Sequence, residues 1–310
     1  MQLSELEHAR VAIWGYGSEG RAALAALRWR LPRAPLALLC SESEAAEAGT
    51  IEDPALYIFT EEVTAELLAR FQIVIKSPGI SAYLPSVIEA TRRGTRFTSG
   101  TALWFAENPD ASTICVTGTK GKSTTTALIA HLLRASGART ALAGNIGVPL
   151  LELLDVDPAP DCWAIEVSSF QTRDVRTPEV AVVLNLFPEH LDWHGSEERY
   201  LVDKLALITE SSPRNIVLNA ADARLAAFGR SPALQAVGSE HSAFLGDMPP
   251  AARVHWFNSR EAWHLRGSIL YRAEDAILDC AALPLPGAHN RGNLCAALAA
   301  IEALGLEAVP

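Results

Sequence analysis

The stretch TICVTGTKGKSTTTALIAHLLRAS, residues 113–136, constrains the fold more than any other. Its opening, 113–117, is β-favouring and largely apolar, and from 122 to 136 apolar residues recur at helical spacing. A strand that feeds a helix through so short a loop is half of a βαβ unit, so the fold class is α/β with parallel strands. The loop reads Gly118-Thr119-Lys120-Gly121-Lys122-Ser123-Thr124. Its spacing, Gly118-x-x-Gly121-Lys122-Ser123, presents backbone N–H groups and a helix N-terminus to an anion. In that register Lys122 reaches the β- and γ-phosphates of a nucleotide, Ser123 is placed for Mg²⁺, and Lys120 adds charge from the loop itself. The usual phosphate-loop spacing would put its first glycine where Val116 stands, so this loop is a shortened form. The bland alternative, a Gly/Thr-rich turn with stray lysines, has the strand before it and the helix after it against it.

A chain of 310 residues favours two domains. The N-terminal 1–108 read as a Rossmann-like domain. Strand 11–14 runs into Gly15-Tyr16-Gly17-Ser18-Glu19-Gly20 and a helix over 21–30, and strand 36–40 ends at Ser41-Glu42, where such units place a ribose-binding acid. Strand 71–75 stops at Lys76-Ser77-Pro78-Gly79-Ile80, and helix 85–93 and strand 96–98 complete the unit. Asn108-Pro109-Asp110 marks the boundary. Residues 109–304 form a P-loop ATPase-type α/β domain, with strands at 164–167, 180–185 and 215–219, a small β-rich excursion over 240–283 and an alanine-rich helix over 293–304. Residues 305–310 begin a linker.

Composition narrows the partners. A net charge of −10 argues against nonspecific nucleic-acid binding, so an anionic ligand must be met by local devices. Only Lys76, Lys120, Lys122 and Lys204 are lysines. No apolar run reaches the roughly 18 residues of a membrane span, and the N-terminus MQLSELEHAR lacks a signal peptide's basic and apolar regions, so a cytoplasmic monomer without a membrane partner is expected. Five scattered cysteines with no C-x-x-C read as buried thiols.

Other residues carry chemistry of their own. Glu166 ends a strand and offers a hard oxygen to Mg²⁺, though a strand-end Glu is usually only solvated. His190 reads as a metal or substrate contact. With His194 it makes an i,i+4 pair, but no third zinc ligand is evident. Asn290 and Asn293, one on each side of the start of the last helix, suit an adenine or simple helix capping.

The motifs in order are V-T-G-T-x-G-K-S-T, Gly144-Asn145-Ile146-Gly147, Glu166-Val167-Ser168-Ser169-Phe170-Gln171, Asn185, His190-Leu191-Asp192-Trp193-His194-Gly195-Ser196, Tyr200-x-x-x-Lys204, Asn219-x-x-Asp222 and Gly287-Ala288-His289-Asn290. This series resembles the Mur ligase family of peptidoglycan synthesis over essentially the whole chain, more weakly in the first hundred residues. Glu-x-Ser-Ser-Phe-Gln with Gly-Asn-Ile-Gly resembles most closely the branch that adds glutamate to UDP-N-acetylmuramoyl-L-alanine. The resemblance implies an ADP-forming ligase using ATP and Mg²⁺, with an acyl-phosphate intermediate. It implies catalytic Lys122, Glu166, His190 and Lys204, nucleotide contacts from Gly118 to Thr124 with Asn290 and Asn293, and Ser123, Glu166, His190 and a carbamylated Lys204 around the metal. For the UDP-sugar it implies Gly17, Ser18, Ser41, Ser77, Pro78, Gly79, Asn145, Ser168, Gln171 and His190.

Glu19 stands where D-glutamate-adding enzymes carry Thr, and with Trp14-Gly15-Tyr16-Gly17 and Lys120 it favours a branch that adds L-glutamate. A third, amino-acid-binding domain of similar ligases is expected to be absent, leaving a fragment with little turnover. Gly15-x-Gly17-x-x-Gly20 alone also fits a nicotinamide oxidoreductase, and a non-catalytic nucleotide-binding module is the third reading.

Overall fold

The computed structural model describes residues 1–230, 252–285 and 287–308, and these divide into two compact units. The first holds Met1–Pro109 with Val148–Asp155 and Asp192–Gly195. Two short segments assigned from sequence to the second domain therefore pack with the first. The second unit holds Asp110–Gly147, Val156–Leu191 and the chain from Ser196 onward.

In the first unit, β1 (Val11–Trp14), α1 (Ser18–Arg30), β2 (Leu36–Leu39), α2 (Glu42–Ala48), β3 (Leu56–Phe59), α3 (Ala65–Leu68), β4 (Ile73–Lys76), α4 (Pro85–Arg92), β5 (Arg96–Thr98) and α5 (Gly100–Glu107) follow one another. The strands form one parallel sheet in the order β3-β2-β1-β4-β5. The near-continuous apolar runs of β1, β2 and β4 are what a sheet covered on both faces requires, and Ala12, Ala37, Leu39, Val74, Leu67, Leu68 and Ala90 form one core cluster. The chain reverses its direction of travel across the sheet between β1 and β4, so the turns after these two strands lie where α/β sheets bind ligands.

The second unit begins with β6 (Thr113–Thr117) and α6 (Lys122–Ala135), then β7 (Thr140–Gly144), β8 (Cys162–Glu166) and β9 (Val180–Val183). After the single turn α7 (Leu191–His194) come α8 (Glu197–Thr209), β10 (Asn215–Asn219), α9 (Ala223–Arg230), β11 (Arg253–Phe257), β12 (Trp263–Arg266), β13 (Ile269–Arg272), β14 (Asp275–Asp279) and α10 (Ala288–Ala303). The sheet order is β14-β13-β12-β11-β10-β9-β6-β8-β7. β6 lies between β8 and β9, so its following loop is again at a switch point. Ile114, Val116, Val180, Val182, Ile129, Leu133 and the alanine face of α10 share one buried cluster. Small side chains there let helix and sheet approach closely.

Several sequence expectations need correction. α1 starts at Ser18 rather than 21. α10 starts at Ala288 rather than 293, so Asn290 and Asn293 both lie on the helix and not on either side of its start. The β-rich excursion is continuous with the main sheet: β11 pairs in parallel with β10, and only β13 and β14 turn antiparallel. Its first residues, 240–251, lie outside the described ones. Of the cysteines, Cys115, Cys162, Cys280 and Cys295 are buried but Cys40 is partly exposed. Among the described residues no helix is long and apolar enough to cross a membrane.

Candidate active site

The loop between β6 and α6 is shaped by its neighbours as much as by its glycines. Gly121, the N-cap of α6, has φ +89°, and a Cβ there would lie 2.6 Å from Asn293 Oδ1 on α10. Only glycine combines that backbone with that approach. Asn185, just past β9, holds the loop on both sides of one residue: its Oδ1 accepts from Lys120 N at 2.8 Å and its Nδ2 donates to Lys120 O at 2.9 Å. Thr119 N donates to Asn185 O at 3.1 Å, and the Thr119 hydroxyl is bonded to Tyr200 OH on α8 at 2.6 Å. The loop is thereby preorganised, with Ser123 and Thr124 in the first turn of α6.

Three of the four lysines meet here. Lys122 folds back so that Nζ donates to Thr119 O at 3.1 Å. Lys204 Nζ, almost fully buried on α8, donates to Gly118 O at 3.0 Å. Lys120 is exposed and pairs with Glu189 at 2.5 Å. Burial lowers the Lys122 ammonium below its ordinary value, against the raising influence of Glu166 and Glu189. Lys204 falls much further, to about 7, because of burial first and the charge of Lys122 second. A chain of net negative charge thus concentrates cationic groups around one loop.

Glu166, at the end of β8, is 2% exposed. Its Oε1 accepts from Asn145 Nδ2 at 2.8 Å, while Oε2 is buried with no partner among the described residues. A carboxylate oxygen in that condition is costly unless something positive meets it. The donor set expected for Mg²⁺ therefore fits a hard cation at its Glu166 end. Ser123 is exposed at the start of α6. His190 is also exposed, has φ +55°, and lies beside Phe170 (ring centroids 5.2 Å apart) with Glu189 Oε2 3.8 Å from Nε2. His194 is instead fully buried in the first unit, against Trp193. Ser168 and Gln171 are buried together, Ser168 Oγ donating to Gln171 Oε1 at 2.8 Å.

In the first unit the glycine turn and the Ser77–Ile80 turn meet directly. A Cβ on Gly15, at φ +90°, would lie 2.8 Å from Ser77 Oγ. The Tyr16 amide is taken by Glu44 Oε1 at 3.0 Å, and the same carboxylate accepts from Ser41 N at 2.9 Å through Oε2. These hydrogen bonds, led by Ser41, hold the Glu44 carboxyl below its ordinary value. Glu44 is committed to the turn itself, while Glu42, at the strand end where a ribose-binding acid was expected, is exposed at the start of α2. Glu19 lies by Gly100, its Oε2 3.0 Å from where a Cβ would be, and burial with the charge of Glu152 pushes it up to about 7. Gly17 and Ser18 are exposed at the start of α1, Ser41 caps α2, and Pro78 and Gly79 form the middle of the second turn.

Residues 116–301 match the family model of the Mur ligase middle domain. The chain belongs to the Mur ligase family. It is 55% identical over 317 aligned residues to the UDP-N-acetylmuramoyl-L-alanine--L-glutamate ligase of Xanthomonas euvesicatoria pv. vesicatoria (strain 85-10), covering 99% of this chain and 64% of that protein. A protein of the same name from Micromonospora sp. (strain ATCC 39149 / NRRL 15099 / SCC 1413) is 42% identical, covering 100% and 64%. The chain thus spans a little under two thirds of the length of these curated relatives. The fold is shared with the crystal structure of UDP-N-acetylmuramate:L-alanyl-gamma-D-glutamyl-meso-diaminopimelate ligase from Neisseria meningitides. That likeness has a TM-score of 0.59 at 19% identity and covers 97% of this chain and 95% of that one. UDP-N-acetylmuramate-alanine ligase from Thermotoga maritima gives 0.51 at 19% identity, covering 96% and 66%.

For a Mur ligase middle domain, the structure gathers Gly118 to Thr124, Lys204 and Asn293 around one loop, with Asn290 a turn earlier on α10. The residues expected for the UDP-sugar divide between units: Gly17, Ser18, Ser41, Ser77, Pro78 and Gly79 in the first, Asn145, Ser168, Gln171 and His190 in the second. Sequence reasoning missed Glu189 as the partner of Lys120, Asn185 as the clamp on the loop, Tyr200 as the hydroxyl on Thr119, and Glu44. Asn185 was legible as a strand-end polar residue and Tyr200 by its spacing from Lys204. Nothing local distinguished Glu189 or Glu44 from solvated acids.

Proposed function

We propose that the chain is the UDP-sugar- and ATP-handling part of an ADP-forming ligase that joins glutamate to UDP-N-acetylmuramoyl-L-alanine in peptidoglycan precursor synthesis. The carrying observation is the convergence of Lys120, Lys122 and Lys204 on the Gly118–Gly121 loop, with the unpartnered Glu166 Oε2 nearby in the same unit. The relatives' printed names favour L-glutamate over D-glutamate.

The chemistry divides between groups already in place. The loop amides and Lys122 hold the polyphosphate of ATP and stabilise the γ-phosphoryl as it passes to the carboxylate of the UDP-muramoyl-alanine, releasing ADP. The glutamate amine then attacks the acyl carbon, the bond from that carbon to the bridging oxygen breaks, the nitrogen loses a proton as the amide forms, and inorganic phosphate leaves carrying that oxygen. No nucleophilic side chain is required; positioning and charge neutralisation supply the catalysis. Ser123, Glu166, His190 and Lys204 as its carbamate would hold Mg²⁺, which when bound spreads phosphate charge and orients the reacting oxygens. A Lys204 ammonium lowered to about 7 leaves part of the amine neutral near that pH, which favours that modification: the free nitrogen pair attacks CO₂, a proton leaves nitrogen, and a neutral side chain becomes a carboxylate-like one. In the first unit the two turns at the β1/β4 switch point would meet the UDP diphosphate through backbone N–H groups.

Thermal unfolding with ligands tests this reading. UDP and Mg·ATP each raise Tm and NADPH does not. A rise with NADPH and none with UDP would overturn the UDP reading of the first unit.

A further inference from the structure

The segment at residues 192–195 lies in the middle of a motif whose neighbours belong to the second unit, yet it packs in the first. Its contacts there are specific. Trp193 Nε1 donates to the carbonyl of Pro78 at 3.1 Å, and Ser81 Oγ donates to the carbonyl of Trp193 at 2.6 Å. The Tyr83 ring meets the indole edge to face at 5.8 Å, and Lys76 Nζ lies 5.6 Å from the indole centroid while donating to Ile80 O at 2.5 Å. These residues bracket the Ser77–Ile80 turn, which is closed by Ile80 N on Ser77 O at 3.1 Å. The other hold on the turn is the close approach of Ser77 to Gly15. The Ser77 hydroxyl itself is buried without a partner among the described residues.

We propose that Trp193 is a positioning residue for the UDP-sugar, its indole N–H fixing the Pro78 carbonyl and so the shape of the Ser77–Ile80 turn that receives the diphosphate. The inference rests on the UDP reading of the first unit. A turn that receives an anion, here with Ser77 N bonded to Trp14 O at 3.0 Å and Ile80 N to Ser77 O so that the Gly79 N–H lies between them, gains from being held before the ligand arrives, because ordering it on binding would cost affinity. A neutral hydrogen bond to a backbone carbonyl is of the right size to do this without deciding whether the domain folds. A purely structural tryptophan would be needed for its ring alone. The geometry assigns the N–H a separate task.

Isothermal titration of the whole chain with UDP and with Mg·ADP separates these possibilities. Trp193→Phe keeps the ring and removes the donor. It is expected to weaken UDP about fivefold, with Mg·ADP affinity unchanged and Tm within a degree or two of wild type. Trp193→Ala is expected to weaken UDP further and to lower Tm. The inference is overturned if Trp193→Phe binds UDP within twofold of the wild type, or if UDP and Mg·ADP weaken together. If the wild type binds Mg·ADP but not UDP, the UDP reading itself fails and takes this inference with it.

Discussion

At the scale of single residues, the site is governed by what burial does to charge. Lys204 is the clearest case. Its ammonium, ordinarily near 10.5, falls to about 7 because α8 carries it out of water and Lys122 adds a like charge. The sign of the linkage is fixed by which state holds the proton. Between about 7 and 10.5 the unfolded chain binds a proton that the folded chain has released, so this residue makes stability rise with pH across that window. Below about 7 both states are protonated and the penalty is fully present. The same shift sets the pH dependence of the carbamate proposed for Lys204: with ¹³C-labelled CO₂ held at constant dissolved concentration, a carbamate resonance should grow as pH rises through about 7 and be missing in Lys204→Gln. A resonance of equal size in Lys204→Gln would place the modification elsewhere. Glu19 moves the other way for a related reason, since burial beside Glu152 opposes ionisation. The structure places the Glu19 carboxyl by Gly100 on α5.

At the scale of elements, the phosphate loop is held by α8 and α10 rather than by itself. Tyr200 OH on the Thr119 hydroxyl and Lys204 on the Gly118 carbonyl join α8 to the loop, and Asn293 on α10 lies close against Gly121. Tyr200→Phe leaves the buried ring in place and removes one bond, so a loss of about 1 kcal/mol in urea unfolding is expected, with a several-fold weaker Mg·ATP. Unchanged affinity would mean that α8 does not shape the loop. Much of this was legible in sequence. The β6–loop–α6 unit is strongly patterned, and Tyr200-x-x-x-Lys204 sets the two loop-contacting residues of α8 one turn apart. What was missed has physical reasons. β7, TALAG, is rich in residues of low β propensity and is a strand because β8 pairs with it. β3, LYIF, is as apolar as its neighbours and was passed over although its run was legible; at the sheet edge it leaves Tyr57 and Ile58 exposed. The first turns of α10 are polar, AHNRGN, and no local signal separated them from the preceding loop.

For the whole molecule, two α/β units each place glycine-bearing turns at a sheet switch point, and that much follows from the alternation of strands and helices. The return of 148–155 and 192–195 to the first unit does not. Long-range packing of short segments leaves no periodicity in the sequence, and Trp193 looks from sequence like any motif residue. The central claim is that the shortened loop is the polyphosphate site of a Mur ligase, with Lys122 as its lysine and Lys120 set apart by its exposed pairing with Glu189. It is tested most directly by titrating Mg·ATP into the wild-type chain and into Lys122→Ala, with UDP as the internal control. The account predicts saturable binding by the wild type, at least tenfold weaker binding by Lys122→Ala, and equal UDP affinity in both. Equal Mg·ATP affinity in the two proteins would contradict it.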